Sequence, residues 1–178
     1  MVGSHLEQTP RVQANISLDH VGVSVADLEM ATKWYSENLG FRILKSKVHF
    51  KRDPQNTRHE DIHLFQVYPE PLNEAYVSFL VSGNGIGIEL FEFVDPKHDT
   101  TLPFGPQLWT QTGCFHFALT DADPIGLSKR LVQAGAKALA DPVVYGTKSL
   151  CIAYLQDPCG LILEICSQGF GQGVLESV

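Results

Sequence analysis

No apolar run in these 178 positions approaches the roughly 20 residues that would cross a bilayer, and no basic segment followed by an apolar one opens the chain. A soluble, cytoplasmic protein without a membrane partner is therefore expected. Cysteine is sparse: Cys114, Cys151, Cys159 and Cys166 all fall in the second half with no CxxC pair, which argues against a disulfide framework or a structural zinc site. Positive charge is also in short supply. Thirteen Lys and Arg against 20 Asp and Glu give a formal charge of -7, with no footprint for nucleic acid. Lys45, Lys47, Lys51 and Arg52 are the main basic cluster, and they read as a solvated strand edge. The expected partner is a small molecule.

What is present is alternation, and it begins after a polar, unpatterned arm at 1–16. Leu18, His20, Gly22 and Ser24 face one way while Val21, Val23 and Val25 face the other, as on a strand with one apolar side. Asp27 is placed to cap a helix, Leu28, Ala31, Tyr35 and Leu39 fall at helical spacing, and Gly40 supplies a left-handed stop. A weaker strand follows over 41–50. The Pro-, Asn-, Asp- and His-rich stretch at 51–73 reads as an insertion or long loop. Strands over 76–81 and 86–94 are joined by the Ser82-Gly-Asn-Gly85 turn and complete a module over 17–94. Residues 95–112, with three prolines, read as a linker.

The pattern then repeats over 113–167. His116 lies on a strand, Asp123 caps a helix seven residues later as Asp27 does after His20, and Pro124 takes the favoured first helical position. A second hairpin turns at Asp157-Pro-Cys-Gly160, and 168–178 forms a tail. Each final strand carries one carboxylate in an apolar run, Glu89 in the first module and Glu164 in the second. His20 to Glu89 spans 69 positions and His116 to Glu164 spans 48, a difference close to the length of the insertion. The fold expected is therefore α+β, built from two paired βαβββ modules.

One histidine on an apolar strand is ordinarily a satisfied core residue, and one glutamate in a strand ordinarily an outward charge. Repetition changes that reading. Burying a carboxylate without compensation is costly, so two Glu matched to two His point to a shared partner, a divalent cation. Two imidazoles and two carboxylates suit Zn, Ni, Co, Mn or Fe(II). Four ligands leave positions for two substrate oxygens. Such a metal acts as a Lewis acid that stabilises an enediolate, with Glu164 or Glu89 as the base.

The motifs Leu18-Asp-His-Val-Gly-Val-Ser-Val-Ala-Asp, Trp34-Tyr-Ser-Glu-Asn-Leu-Gly-Phe41 and Leu155-Gln-Asp-Pro-Cys-Gly-Leu-Ile-Leu-Glu164 resemble the vicinal oxygen chelate superfamily, which includes glyoxalase I, methylmalonyl-CoA epimerase, extradiol dioxygenases and bleomycin-resistance proteins. The resemblance implies curved sheets forming a cup around one metal, with ligands at His20, Glu89, His116 and Glu164. That set is similar to the one in bacterial-type glyoxalase I. The cup of such proteins forms within one chain or across a homodimer.

Glutathione-using relatives carry an Arg four residues after the first ligand and four before the third. Ser24 and Thr112 stand at those places here, which takes away the bidentate contacts that glutathione needs. A lyase or isomerase that does not use glutathione is the reading this favours. The alternatives are a metal-free binding or resistance protein and an Fe(II) ring-cleaving dioxygenase. The latter's C-terminal signature is half matched, by Tyr154 and by Asp157 to Glu164, without the expected upstream His. Phe91, Cys114, Ala118 and Tyr154 are expected to line the substrate, and Lys148 to reach it from a loop over the site. Ordinary packing or solvent exposure also explains each of these five.

Overall fold

The computed structural model describes residues 16–53, 55, 64–68, 70–99, 107–110, 112–145 and 150–176. Helix α1 (Leu28–Leu39) starts where expected: Asp27 is extended, and its carboxylate accepts the Met30 N–H. A second carboxylate also serves this end, because Glu92 Oε2 accepts the Leu28 N–H at 3.0 Å. Both suit the free N–H groups and positive dipole of a helix start. Gly40, at φ 70°, stops the helix by donating to the Ser36 carbonyl.

The first sheet runs β1 (His20–Ser24), β4 (Gly87–Asp95), β3 (Glu74–Val81), β2 (Arg42–Lys51), with β1 parallel to β4 and the other pairs antiparallel. β2 is irregular where the alternation is weak. Its register shifts twice between Ile43 and Val48, and Lys47 takes φ 50°. The second sheet repeats the order with β5 (His116–Thr120), β9 (Ile162–Cys166) and β8 (Leu150–Gln156). Here two short pieces, β6 (Lys137–Ala138) and β7 (Val143–Tyr145), pair with β8 and together take the place of β2. Helix α4 (Pro124–Gln133) is capped by Asp123, which accepts the Gly126 N–H. The fold is the expected pair of βαβββ modules.

The helix-facing sides of both sheets merge into one core. Val25, Leu28, Ala31 and Tyr35 from the first module cluster with Leu131, Leu155, Leu163 and Ile165 from the second. Each fully buried leucine contributes roughly 1.5–3 kcal/mol. Two hydrogen bonds tie the halves. Trp34 Nε1 donates to the Ala134 carbonyl at 2.9 Å, and the Tyr35 hydroxyl donates to Asp157 Oδ2 at 2.6 Å. Asp157 is buried, and its other oxygen accepts the Cys159 and Leu161 N–H groups at 2.8 Å each. Burial pushes its carboxyl pKa up, against the pull of these bonds. The Asp157-Pro-Cys-Gly160 turn is thus a structural joint between the modules.

Three stretches depart from the sequence reading. The insertion carries helical residues 64–67 (α2), and Leu64 and Phe65 pack on Phe50, Val77 and Phe91 as a second apolar cluster. Within the linker lies a four-residue helix, α3 (Gln107–Thr110), and within the tail a helix, α5 (Phe170–Glu176). Residues 1–15, which hold almost all of the expected arm, lie outside the described residues. Among the described residues no helix is long and apolar enough to cross a membrane.

Candidate metal-binding and active site

The two sheets present His and Glu in the same register. In the first, His20 lies opposite Gly87 and Gly22 opposite Glu89; in the second, His116 lies opposite Ile162 and Ala118 opposite Glu164. Each Glu is therefore two positions beyond its His along a parallel pair of strands, on the sheet face away from the helices. The 21-residue difference in spacing is absorbed before β3, so the ladders coincide.

His20 Nε2 lies 3.7 Å from Glu89 Oε2 and His116 Nε2 lies 3.1 Å from Glu164 Oε2. Among the described residues no three or more His, Cys, Asp or Glu side chains stand close enough to hold one cation. The chain thus brings the predicted ligands together as two pairs, and the described residues do not bring the pairs to each other.

The surroundings differ. His20 is half exposed, and its Nδ1 is 2.7 Å from Asp19 Oδ2. Asp19 first, then Glu89, raises the imidazole pKa. A carboxylate on the far nitrogen is the support a metal-binding imidazole commonly has. Gly87 makes room for this ring, since a Cβ there would come within 2.9 Å of the His20 Cβ. Glu164 is more enclosed, with 14% of its side chain exposed against 27% for Glu89. Tyr154 lies directly opposite it on β8, and burial together with the Glu164 carboxylate pushes the phenol up to about 12. Cys166 Sγ is 3.5 Å from Glu164 Oε1, and burial and that carboxylate push the thiol up to about 11.

The other expected site residues fall as follows. Phe91 is buried on the ligand face beside Glu89, and a Cβ on Gly22 would meet its ring at 3.6 Å. Ala118 is exposed opposite Glu164. Cys114 is exposed before β5 and donates to the His116 carbonyl at 3.1 Å. Lys148 lies outside the described residues. A cavity of about 220 Å³ beside Glu164 is lined by Tyr145, Ile152, Cys166 and, from α5, Phe170 and Val174. A larger cavity of about 710 Å³ lies between the modules, lined by residues such as Val21, Ile88, Phe117 and Arg130 and by none of the four ligand-type residues.

The donor chemistry fits a divalent cation as two half-sites. Each half offers one imidazole nitrogen and one carboxylate oxygen on the same face, and two halves supply the mixed N/O set that borderline divalent ions accept. One half alone has too few donors.

Paired βαβββ modules, each presenting His and Glu in matched register, define a vicinal oxygen chelate fold. Residues 17–165 match the model of the Glyoxalase/Bleomycin resistance protein/Dioxygenase superfamily, and the chain belongs to that superfamily. A curated relative, 2-epi-5-epi-valiolone epimerase from Actinomyces sp, is 25% identical over 154 residues, covering 84% of this chain and 78% of the relative. Among solved structures, the glyoxalase family protein from Bacillus cereus aligns with TM-score 0.68 at 18% identity, over 89% of this chain and 97% of that one. Glyoxalase I from Zea mays aligns with TM-score 0.52 at 24% identity, over 85% of this chain and 44% of the maize chain, so this chain spans under half of that enzyme. Superfamily members include glyoxalases, epimerases and dioxygenases, commonly bind a divalent metal, and often act as dimers. An isomerase-type role fits the epimerase relative.

Proposed function

We propose that the protein is a divalent-metal-dependent isomerase, of the epimerase kind, for a small substrate with adjacent oxygens. It works without glutathione. Each site is built from His20 and Glu89 of one copy and His116 and Glu164 of a second. The observation that carries this reading is the pair of register-matched half-sites, each short of donors for a cation, on faces left open by the fold. The 25% identical epimerase supports the reaction class, and Ser24 in place of a cation supports a substrate other than glutathione.

A divalent cation bound by these four residues would supply Lewis acidity toward the adjacent substrate oxygens. The chain's own contribution is proton handling. Glu164, enclosed and paired with Tyr154 across the sheet, takes the proton from the carbon next to the carbonyl. Glu89, on the facing half-site and protonated from solvent, gives its proton to the opposite side of the carbon, which inverts the centre, and exchange with solvent resets both carboxyls. Asp19 holds the His20 ring in place through Nδ1.

The test has two arms. Protein loaded in turn with Zn, Ni, Co, Mn and Fe(II) is expected to bind two ions per dimer. With 2-epi-5-epi-valiolone in D2O, it is expected to give an epimer carrying deuterium at the inverted carbon. No stoichiometric binding of any of these metals defeats the reading.

A further inference from the structure

The ligand face of the first sheet does not end at Glu89. It continues through Phe91 and Phe93, whose rings stack at 5.7 Å, with Tyr68 of the insertion packed edge-on against Phe91 at 6.3 Å. Beyond them opens a pocket of about 450 Å³, whose lining includes Ser24, Tyr68, Phe93, Lys97, His98 and Asp99. Ser24 is on the same exposed face of β1 as His20, and in the ladder it lies opposite Phe91, two positions past Glu89. Two residues of strand advance about 7 Å. The pocket therefore begins one substrate ring away from Glu89, with His20 two positions farther back along β1.

Its chemistry is specific. Ser24 Oγ and His98 Nδ1 share a hydrogen bond of 2.7 Å, made across 74 residues by the turn after β4. The His98 backbone N–H donates to the Phe93 carbonyl at 3.0 Å, which fixes that turn. In either neutral tautomer the pair keeps one donor and one acceptor for a ligand hydroxyl. The lining carries Glu70 and Asp99 against Lys97, so it offers no net positive field for a carboxylate or phosphate. Aromatic walls beside neutral donor and acceptor groups suit the apolar C–H face and the hydroxyls of a polyol ring.

We infer that this pocket is a substrate subsite, with Ser24 and His98 binding a hydroxyl of an uncharged, polyhydroxylated portion of the molecule whose reacting end lies at Glu89. The assignment to a substrate rests on the metal-dependent reading above. It makes Ser24 and His98 specificity-determining residues, and it gives the insertion a purpose, supplying Tyr68 as one wall.

The test uses the full-length protein, metal-free and zinc-loaded, titrated with myo-inositol as a neutral probe and with glutathione as an anionic one. Binding is followed by calorimetry and by the His98 ring-proton signals. Myo-inositol is expected to shift the His98 signals, and Ser24→Ala and His98→Gln each to weaken its binding about tenfold, while glutathione leaves His98 unmoved. Unchanged inositol affinity in both variants, unmoved His98 signals, or glutathione binding in this pocket as tightly as inositol overturns the subsite. Zinc content measured on the same samples separates the two ideas. An inositol response in protein that takes up none of Zn, Ni, Co, Mn or Fe(II) defeats the metal-dependent reading and keeps the pocket, whereas stoichiometric zinc without an inositol response defeats the pocket alone.

Discussion

The two modules hold the same His and Glu register in unlike surroundings. In the first, the pair is open, His20 leans on Asp19, and the face beyond it is walled by Phe91, Phe93 and Tyr68. In the second, the pair is closer, Tyr154 lies opposite Glu164 in the ladder, and α5 supplies a side wall. Ladder geometry fixes what a metal needs from each half, while neighbouring side chains set what each half adds. In the proposed reaction the enclosed second half takes the proton, while the open first half returns one and leads on to the pocket proposed for the distal end of the substrate.

Unequal substitutions sharpen this contrast. Glu164→Gln is expected to cut metal affinity about 100-fold or more, at least the upper range known for loss of an outer partner, and Glu89→Gln about 10-fold. Equal losses, measured by competition with a chelating dye, would erase the distinction between the halves. Next in size is the joint that holds the modules in one core. Tyr35→Phe leaves one oxygen of buried Asp157 without its partner and is expected to cost about 2 kcal/mol. Thermal melting reads this as a fall of roughly 4–8 °C for a chain of this length. An unchanged melting point means that Asp157 does not depend on the first module.

Smaller effects follow from the supports. Asp19→Asn is expected to weaken metal binding about 10-fold by loosening the His20 ring, an interaction with no counterpart at His116 among the described residues. A loss confined to Asp19→Asn would mark the first half as the one that needs outside support. Tyr154→Phe removes the hydroxyl of the residue paired with Glu164 across β8 and β9 and is expected to slow turnover about fivefold, about 1 kcal/mol in the barrier, with metal content unchanged. If metal content falls instead, Tyr154 serves the ligand rather than the base.

Much of this was legible in the chain. Period-two alternation, matched Asp caps and a His on each opening strand marked the duplication, and the lone Glu in each closing strand located both pairs. What stayed hidden was of two kinds. Contacts between residues far apart in sequence, such as Tyr35 with Asp157 and Ser24 with His98, leave no periodic trace. Tyr35 falls at helical spacing with Trp34 beside it, and neither position signals that the polar ends of their rings fasten the modules. Elements too short or too glycine-rich to carry a pattern leave no trace in the sequence either. β6 has two residues and β7 three, while α5 contains Gly171 and Gly173, each roughly 1 kcal/mol less favourable than alanine in a helix. The insertion was legible as an interruption, and its packing of Phe65 and Tyr68 over the ligand face was not.

If two half-sites from different copies make one centre, mixed dimers of complementary variants restore it. One variant carries His20→Ala and Glu89→Gln, the other His116→Ala and Glu164→Gln, and each alone is expected to bind no metal tightly. In the mixed dimer, the intact first module of one copy meets the intact second module of the other. The account predicts one metal ion per mixed dimer, with about half the wild-type activity per dimer restored. A mixed dimer that forms, yet binds no metal and shows no activity, would contradict it.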